Sequence, residues 1–315
     1  YLSALSNQVD QFIRLPSPYI HARNAIAAEE LDILYYTDIG MEPLSYFLAY
    51  SRLAPVQCAS WGHPVTTGIP NIDYFLSWKI HEPSDACSHY SENLQLFSGF
   101  CTNYTPPEFA DPIKEREELG LDTKANLYVC PQSLFKFHPT FDWMLACILQ
   151  NDENGQIILL EGQQQNWGRL LRNRFAALNP DMVDRIRFLP RLSGENYLHL
   201  MTLADVLLDT PGFCGGNTSF EALAAGKVLV TLPGRYMRGL FTVGLYRQMG
   251  LEDLIPSSPA EYIELALSMG TNLGERMRQE ERIKERRSLI FNNKETIYSH
   301  EQFFEEALEA EKNRS

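Results

Sequence analysis

DVLLDTPGFCGGNTSFEALAAGKVLVTLPG, residues 205–234, is the stretch whose reading decides the fold. Val206, Leu207 and Leu208 form an apolar run between Asp205 and Asp209, with the length and texture of a buried parallel strand. A Pro-Gly turn and a glycine pair, Gly215 and Gly216, follow. Asn217, Thr218 and Ser219 then stand before a helical segment at 220–225, Gly226 closes it, and a second buried strand occupies 228–232. Strand, glycine-rich loop, helix N-terminus, strand is the order in which open α/β sheets build an anion site. Free N–H groups and the positive end of the helix dipole face the crevice beyond the strand's carboxyl end. Glu221 sits one turn into the helix, placed to accept from a ribose. The stretch predicts a nucleotide-diphosphate site; the plain alternative is a tight turn, since glycine pairs join strands to helices in many α/β proteins. It is neither a Walker loop, lacking Gly-Lys-Ser/Thr, nor a spaced GxGxxG.

The chain has 315 residues, 44% hydrophobic and 21% charged, enough for a large core and more than one domain. A net charge of −13 argues against a general nucleic-acid binder, so anionic ligands must be held by local positive groups. No window approaches the roughly 20 apolar residues of a membrane span. Cys58, Cys87, Cys101, Cys130, Cys147 and Cys214 form no CxxC pair, which indicates neither a zinc site nor a disulfide framework and fits a reducing, cytoplasmic setting. The chain opens on Tyr1 rather than methionine, which predicts an excerpt of a longer protein.

Outward from the opening stretch, apolar runs alternate with helical segments. Residues 1–27 read as a helical remnant followed by a loop. Strands are expected at 31–36 (LDILYY), 56–61, 72–78 and 94–97, with a short helix at 43–50. Pro106, Pro107, Pro112 and the run KEREELG mark 106–125 as a linker. A second series follows: strands at 127–130, 156–160 and 186–189, helices at 141–149, 167–178 and 195–204, then the opening stretch. From Tyr246 onward the chain reads as helical. Phe303, Phe304 and Leu308 make one stripe of a closing helix. The expected division is a partial N-terminal lobe at 1–105, the linker at 106–125, a nucleotide-binding lobe at 126–298 and a C-terminal helix at 299–315.

Polar residues of unusual type gather at three strand ends. Gln132, Ser133 and Lys136 follow the strand at 127–130. A lysine there can neutralise a leaving diphosphate, or be an ordinary surface lysine. His63, held between Gly62 and Pro64 with Thr66 and Thr67 nearby, suits donor binding or general-base work, or is a capped or buried histidine. The glycine-rich loop is the third. No two aspartates are separated by one residue, so there is no DxD motif to hold a metal on a nucleotide, and Gly-x-Ser-x-Gly is absent. His81 and His89 belong to no HExxH and read as surface residues.

Three blocks, residues 52–78, 130–139 and 203–234, together resemble the catalytic region of the O-GlcNAc transferase/SPINDLY family, its bacterial members in particular. The resemblance covers nearly everything from about residue 31 to the end, in order. It implies an α/β, GT-B glycosyltransferase fold: two Rossmann-like lobes, the N-terminal one truncated here, the donor held mainly by the C-terminal lobe, and inverting transfer without a metal or other cofactor. Carried over, Lys136 stands at the diphosphate-binding lysine and Gln132 or Ser133 at a neighbouring polar contact. Asn217, Thr218 and Ser219 stand at the helix start that grips the phosphates, where the animal enzymes read His-Thr-Thr, and Glu221 at the acidic residue on the ribose. Arg191 and Leu192 fall in the loop that touches the base. His63 departs from the animal enzymes, which have tyrosine in that block, and resembles the Gly-His-Pro of bacterial cytoplasmic N-glucosyltransferases.

The resemblance implies sugar transfer from a nucleotide sugar, UDP-GlcNAc first, to Ser/Thr of a protein or peptide acceptor, with tetratricopeptide repeats upstream of this chain. GDP-fucose or UDP-glucose as donor stands behind it. So do a GT-B epimerase or small-molecule glycosyltransferase and a degenerate nucleotide-sugar-binding module without turnover. No nucleic-acid or membrane partner is implied.

Overall fold

Two parallel sheets carry the chain in this computed structural model, which describes residues 6–99 and 102–313. The start of the N-terminal remnant and Cys101 lie outside the described residues. The chain divides into two units, one of residues 1–78, 85–97 and 298–315, the other of 79–84 and 98–297.

The first unit holds β1 (Ile33–Tyr36), β2 (Val56–Ser60), β3 (Tyr74–Trp78) and β4 (Asn93–Phe97), hydrogen-bonded in sequence order and all parallel. All of β2 is buried, as a strand covered on both faces must be. Helix α1 (Tyr19–Ala27) forms where a loop was expected: Pro18 fixes the entry, and Ala22, Ala25 and Ala27 favour the helix. Helix α2 (Pro43–Leu48) starts on its own proline. The closing helix spans Glu295–Lys312, and its part from residue 298 belongs to this unit. There Phe303 is buried edge-on against Tyr74 at 5.1 Å, and His300 stacks on Phe97 at 4.6 Å.

The second unit is a five-stranded parallel sheet in the order β7-β6-β5-β8-β9. These are β5 (Asn126–Cys130), β6 (Gly155–Leu160), β7 (Ile186–Leu189), β8 (Val206–Leu208) and β9 (Leu229–Val230). The chain winds outward from β5 to β7, then returns to place β8 on the other side of β5. The strand order therefore reverses between β5 and β8, and in an open sheet that point leaves a crevice beyond the carboxyl ends of the two strands. The helices are α3 (Pro139–Asn151), α4 (Gln165–Leu178), α5 (Gly194–Leu203), α6 (Asn217–Ala224), α7 (Phe241–Met249), α8 (Pro259–Thr271) and α9 (Leu273–Arg286). Side-chain oxygens cap several of them: Ser193 on α5, Ser258 on α8 and Asn272 on α9 accept from the first turn.

The stretch read as a linker, 106–125, lies within this second unit. Arg116 reaches the carboxylate of Asp205 at 2.8 Å and the Leu203 carbonyl at 2.9 Å, and Leu121 joins the core around Leu127, Val129 and Leu207. Asp205 also pairs with Arg276 at 2.9 Å and accepts the Leu127 N–H at 2.8 Å. Helix α7 begins at Phe241, five residues before the expected onset at Tyr246.

His81 is not a surface residue. It has no exposed area, stacks flat on Phe241 with ring centroids 5.1 Å apart, and sets Nδ1 3.2 Å from the Leu240 carbonyl. Burial pulls its pKa well below the ordinary imidazole value. The side chain of His89 is only 10% exposed and approaches Asp85, so it too is covered. Isolated histidines in short 3-10 turns carry no periodicity that would show which way they face. The room for His81 comes from a residue far away in sequence: a Cβ on Gly244 would stand 1.8 Å from its Nδ1.

Gly244→Ala is therefore expected to destabilise the second unit by about 1–3 kcal/mol through overpacking, even though alanine is the better helix former. Gly274→Ala, where the nearest atom to a new Cβ is 3.6 Å away, is the control and should be neutral or stabilising. Urea denaturation of both decides it; equal midpoints would remove the packing argument.

Candidate functional site

The loop after β8 is built on a buried carboxylate. Asp209 has no exposed area. Its Oδ1 accepts the N–H groups of Thr210 at 3.0 Å and Gly215 at 2.8 Å. Its Oδ2 accepts the hydroxyls of Thr231 at 2.9 Å and Thr242 at 2.6 Å. Burial pushes this carboxyl up, while the Thr242 hydroxyl, Lys136 and the other donated bonds pull it down. Two N–H groups that can only donate, and two hydroxyls placed to donate, suit the ionised form. The glycine-rich loop is thereby folded back over one charge, with Thr210 Oγ1 closing on the Phe213 carbonyl at 2.7 Å.

The glycines have different reasons to be there. Gly212 takes a positive φ of 80° with open space around it, so its role is conformational. A Cβ on Gly215 would lie 2.4 Å from Ser219 Oγ and 2.6 Å from Gln132 Nε2. Gly215 is thus a packing glycine, and a side chain there would disturb the fold before it met any ligand. Gly216 is the residue before α6, at φ −112° and ψ −95°, and caps it with no side chain, so the first-turn N–H groups get no side-chain acceptor.

Lys136 comes from the other side of the switch point, in the turn Leu134–Lys136 after β5. Its Nζ donates to Gln132 Oε1 at 2.9 Å and to the Cys214 carbonyl at 2.8 Å, and lies 4.5 Å from the centre of the Phe213 ring. Burial lowers its pKa and Asp209 opposes that shift. Gln132 is 2% exposed, and its Nε2 is a buried donor with no partner among the described residues. Lys136, Gln132, Gly215 and Gly216 are therefore brought together at one crevice by β5 and β8.

Other expected residues are placed as follows. Thr218 is half-buried with the Tyr197 hydroxyl 3.5 Å from its Oγ1, and Asn217 is exposed. Ser219 is a correction: its hydroxyl has no exposure and bonds Thr242 Oγ1 at 2.7 Å, which makes it part of the Asp209 network rather than a ligand-facing group. Glu221 is half-buried; burial pushes its carboxyl up to about 7, against a bond from Tyr197. Arg191 and Ser133 are exposed, while Leu192, like Tyr197, packs against the core around Leu127 and Leu207.

His63 belongs to the first unit. Its ring covers Gly40, where a Cβ would fall 2.6 Å from His63 Cδ2, and burial lowers its pKa. Its Nδ1 is buried without a partner among the described residues. Thr66 and Thr67 are braces rather than free hydroxyls: Glu92 accepts from Thr66 Oγ1 at 2.7 Å and from the Thr67 N–H at 2.7 Å.

Sequence reasoning missed Asp209, Tyr197, Thr231 and Thr242 as parts of the site. The one available signal was an aspartate directly after a fully apolar strand.

The family described as glycosyl transferase family 41 matches residues 106–301. A probable UDP-N-acetylglucosamine–peptide N-acetylglucosaminyltransferase SPINDLY from Solanum lycopersicum is 27% identical over 230 residues, covering 70% of this chain and 24% of the relative. A UDP-glucose:protein N-beta-glucosyltransferase from Actinobacillus pleuropneumoniae is 26% identical over 268 residues, 83% of this chain and 41% of the relative. The chain thus spans about a quarter of the plant protein's length and less than half of the bacterial one's. Among solved structures, a point mutant of the Thermobaculum terrenum O-GlcNAc transferase superposes with a TM-score of 0.83 at 24% identity, over 99% of this chain and 60% of that one. That likeness gives the fold, GT-B.

The raised carboxyl of Glu221 has a stability signature. Between its ordinary value of 4.5 and about 7, the folded protein keeps a proton that the unfolded chain releases, so stability falls as pH rises through that window. Glu221→Gln carries no such charge. It should match wild type at pH ~4 and be more stable at pH ~8 by on the order of 1 kcal/mol, the partial exposure of the group keeping the figure small. Melting curves at the two pH values test this; a variant less stable than wild type at the higher pH would show that the carboxylate is favoured in the fold.

Proposed function

The chain belongs to glycosyl transferase family 41, and on that footing we propose that it moves a sugar from a nucleotide sugar to Ser/Thr hydroxyls of a protein acceptor. UDP-GlcNAc is the first donor to test, with UDP-glucose and GDP-fucose behind it. The observation that carries the reading is the ammonium of Lys136, half-buried and 2.8 Å from the glycine loop's own carbonyl, at the strand-order reversal between β5 and β8. A departing nucleoside diphosphate gains negative charge as the glycosidic bond breaks. A fixed ammonium and an uncapped helix start stabilise that charge more in the transition state than in the bound donor. Glu221 is read as the acceptor for ribose hydroxyls, Gly216, Asn217 and Thr218 as phosphate contacts, and the orphan Gln132 Nε2 as a further donor to the diphosphate.

An acceptor hydroxyl attacking the anomeric carbon from the face opposite the diphosphate inverts its configuration in one displacement. The attacking hydroxyl must lose its proton. His63, whose imidazole is kept neutral at physiological pH by burial, is proposed to accept that proton or to hold the donor. Metal independence is part of the proposal. It is argued from the sequence, which has no DxD motif to hold a metal on a nucleotide. No helix among the described residues is long and apolar enough to cross a membrane. A cytoplasmic setting is proposed on the unpaired thiols, and recognition of the protein acceptor is assigned in part to repeats of about 34 residues upstream.

Lys136→Ala should reduce transfer by about 10²–10³-fold while leaving the melt cooperative. Glu221→Gln should weaken nucleotide binding by roughly 1.5–3 kcal/mol, the charged hydrogen bond to ribose, although it stabilises the fold at the same pH. Calorimetric titration of UDP and GDP gives the base preference: UDP favours GlcNAc or glucose as donor sugar, GDP favours fucose. Transfer should survive excess EDTA, and a strict manganese or magnesium requirement would overturn the charge assignment. A folded wild type that binds neither nucleotide would sink the reading for this chain.

A further inference from the structure

One peptide group in the glycine loop touches both charged side chains. The N–H of the Cys214–Gly215 peptide donates to Asp209 Oδ1 at 2.8 Å, and its carbonyl accepts from Lys136 Nζ at 2.8 Å. A planar amide presents N–H and C=O on opposite edges, so its positive end meets the anion and its negative end meets the cation. Each hydrogen bond polarises the amide in the sense that strengthens the other. We infer that Asp209 is a positioning residue for the site: acting through the Cys214–Gly215 peptide, it is the counter-ion that keeps the Lys136 ammonium charged and aimed at the loop. This rests on reading Lys136 as the diphosphate ligand. An ammonium has three donors, and two are fixed by Gln132 and Cys214, which leaves the third for a phosphate oxygen.

The surrounding groups leave Asp209 as the source of the effect. The other titratable groups acting on Lys136 are the thiols of Cys130 and Cys214, both pushed up by burial and neutral at physiological pH. Around Asp209 stand the phenols of Tyr246 and Tyr262, also pushed up by burial and neutral. Burial lowers Lys136, and Asp209 is the largest influence against it. Thr231, Thr242 and the Thr210 N–H complete the carboxylate's bonds, so none of its acceptor capacity has to be met by the lysine directly.

Asp209→Asn keeps the shape and removes the charge. In the full chain, with Lys136 Nζ followed by ¹⁵N NMR and assigned by its loss in Lys136→Arg, the lysine should titrate at least about one pH unit lower than in wild type. The alkaline limb of UDP binding should move with it, giving about tenfold weaker affinity at high pH and little change near pH 6. Lys136→Met probes the same coupling from the other end: the Asp209 carboxyl, followed by ¹³C NMR, should titrate higher, and this variant keeps the buried carboxylate and its four donors. Thr242→Val is the control for loosened packing. It removes one donor but keeps the charge, and should leave the Lys136 titration in place. An unmoved lysine in a folded Asp209→Asn, an unmoved carboxyl in Lys136→Met, or an equal lysine shift in Thr242→Val would each overturn the counter-ion role. Wild type that binds no nucleotide overturns the proposed function instead, and the NMR titrations still decide the coupling.

Discussion

A carboxylate without any exposed area, Asp209, sets the conformation of everything at the carboxyl edge of the second sheet. It sits one residue past β8 and gathers donors from its own loop, from beyond β9 and from α7. Even its backbone carbonyl is used, accepting the Tyr262 hydroxyl from α8 at 2.9 Å. An ion this deep is tolerated only when its hydrogen-bonding capacity is filled, and removing one partner leaves a cost of several kcal/mol. That cost ties the loop to three other elements at once. The glycine loop is therefore fixed before any ligand arrives, which is what a site acting by electrostatic preorganisation needs.

The consequence for Lys136 depends on what lies between the charges. A direct contact between Asp209 and the ammonium would stabilise the lysine but spend its charge at short range. The interposed peptide keeps the two apart and still couples them, so the ammonium remains available to an incoming anion. Gln132 reinforces this: its Oε1 holds the ammonium, while its buried Nε2 is a donor for which no described residue supplies an acceptor. A buried orphan donor costs stability, about 1–3 kcal/mol for a neutral amide, unless a ligand or water meets it.

The sheets were legible because parallel strands covered on both faces must be continuous apolar runs. LDILYY, IDYFLSW, LYVC and VLL all became strands, within two residues of the expected ends. The strand-end loops that carry Lys136 and the glycines followed from those runs, while the strand order that sets the switch point came only from the pairing of β5 with β8. What stayed hidden were contacts between residues far apart in sequence. Asp209 finds its hydroxyls 22 and 33 positions away, His81 finds its space under Gly244, and Thr66 and Thr67 are taken up by Glu92. A hydroxyl next to a glycine loop reads the same whether it faces a phosphate or, like Ser219, a buried threonine. Only packing separates the two.

Burial acts on the two ends of the proposed donor site in opposite senses, and the difference explains why one acid is braced and the other is not. Asp209 has four donors to keep its charge; Glu221 has little beyond Tyr197 and is pushed up to about 7. An acid short of donors is destabilising as a carboxylate; in the proposed donor site, ribose hydroxyls would supply the donors that Glu221 otherwise lacks. Asp209, which shapes the loop, already has its acceptor capacity filled. The same sheet edge holds one carboxylate braced by four donors and one that receives few, and the number of donors each receives decides how strongly the fold favours its charge.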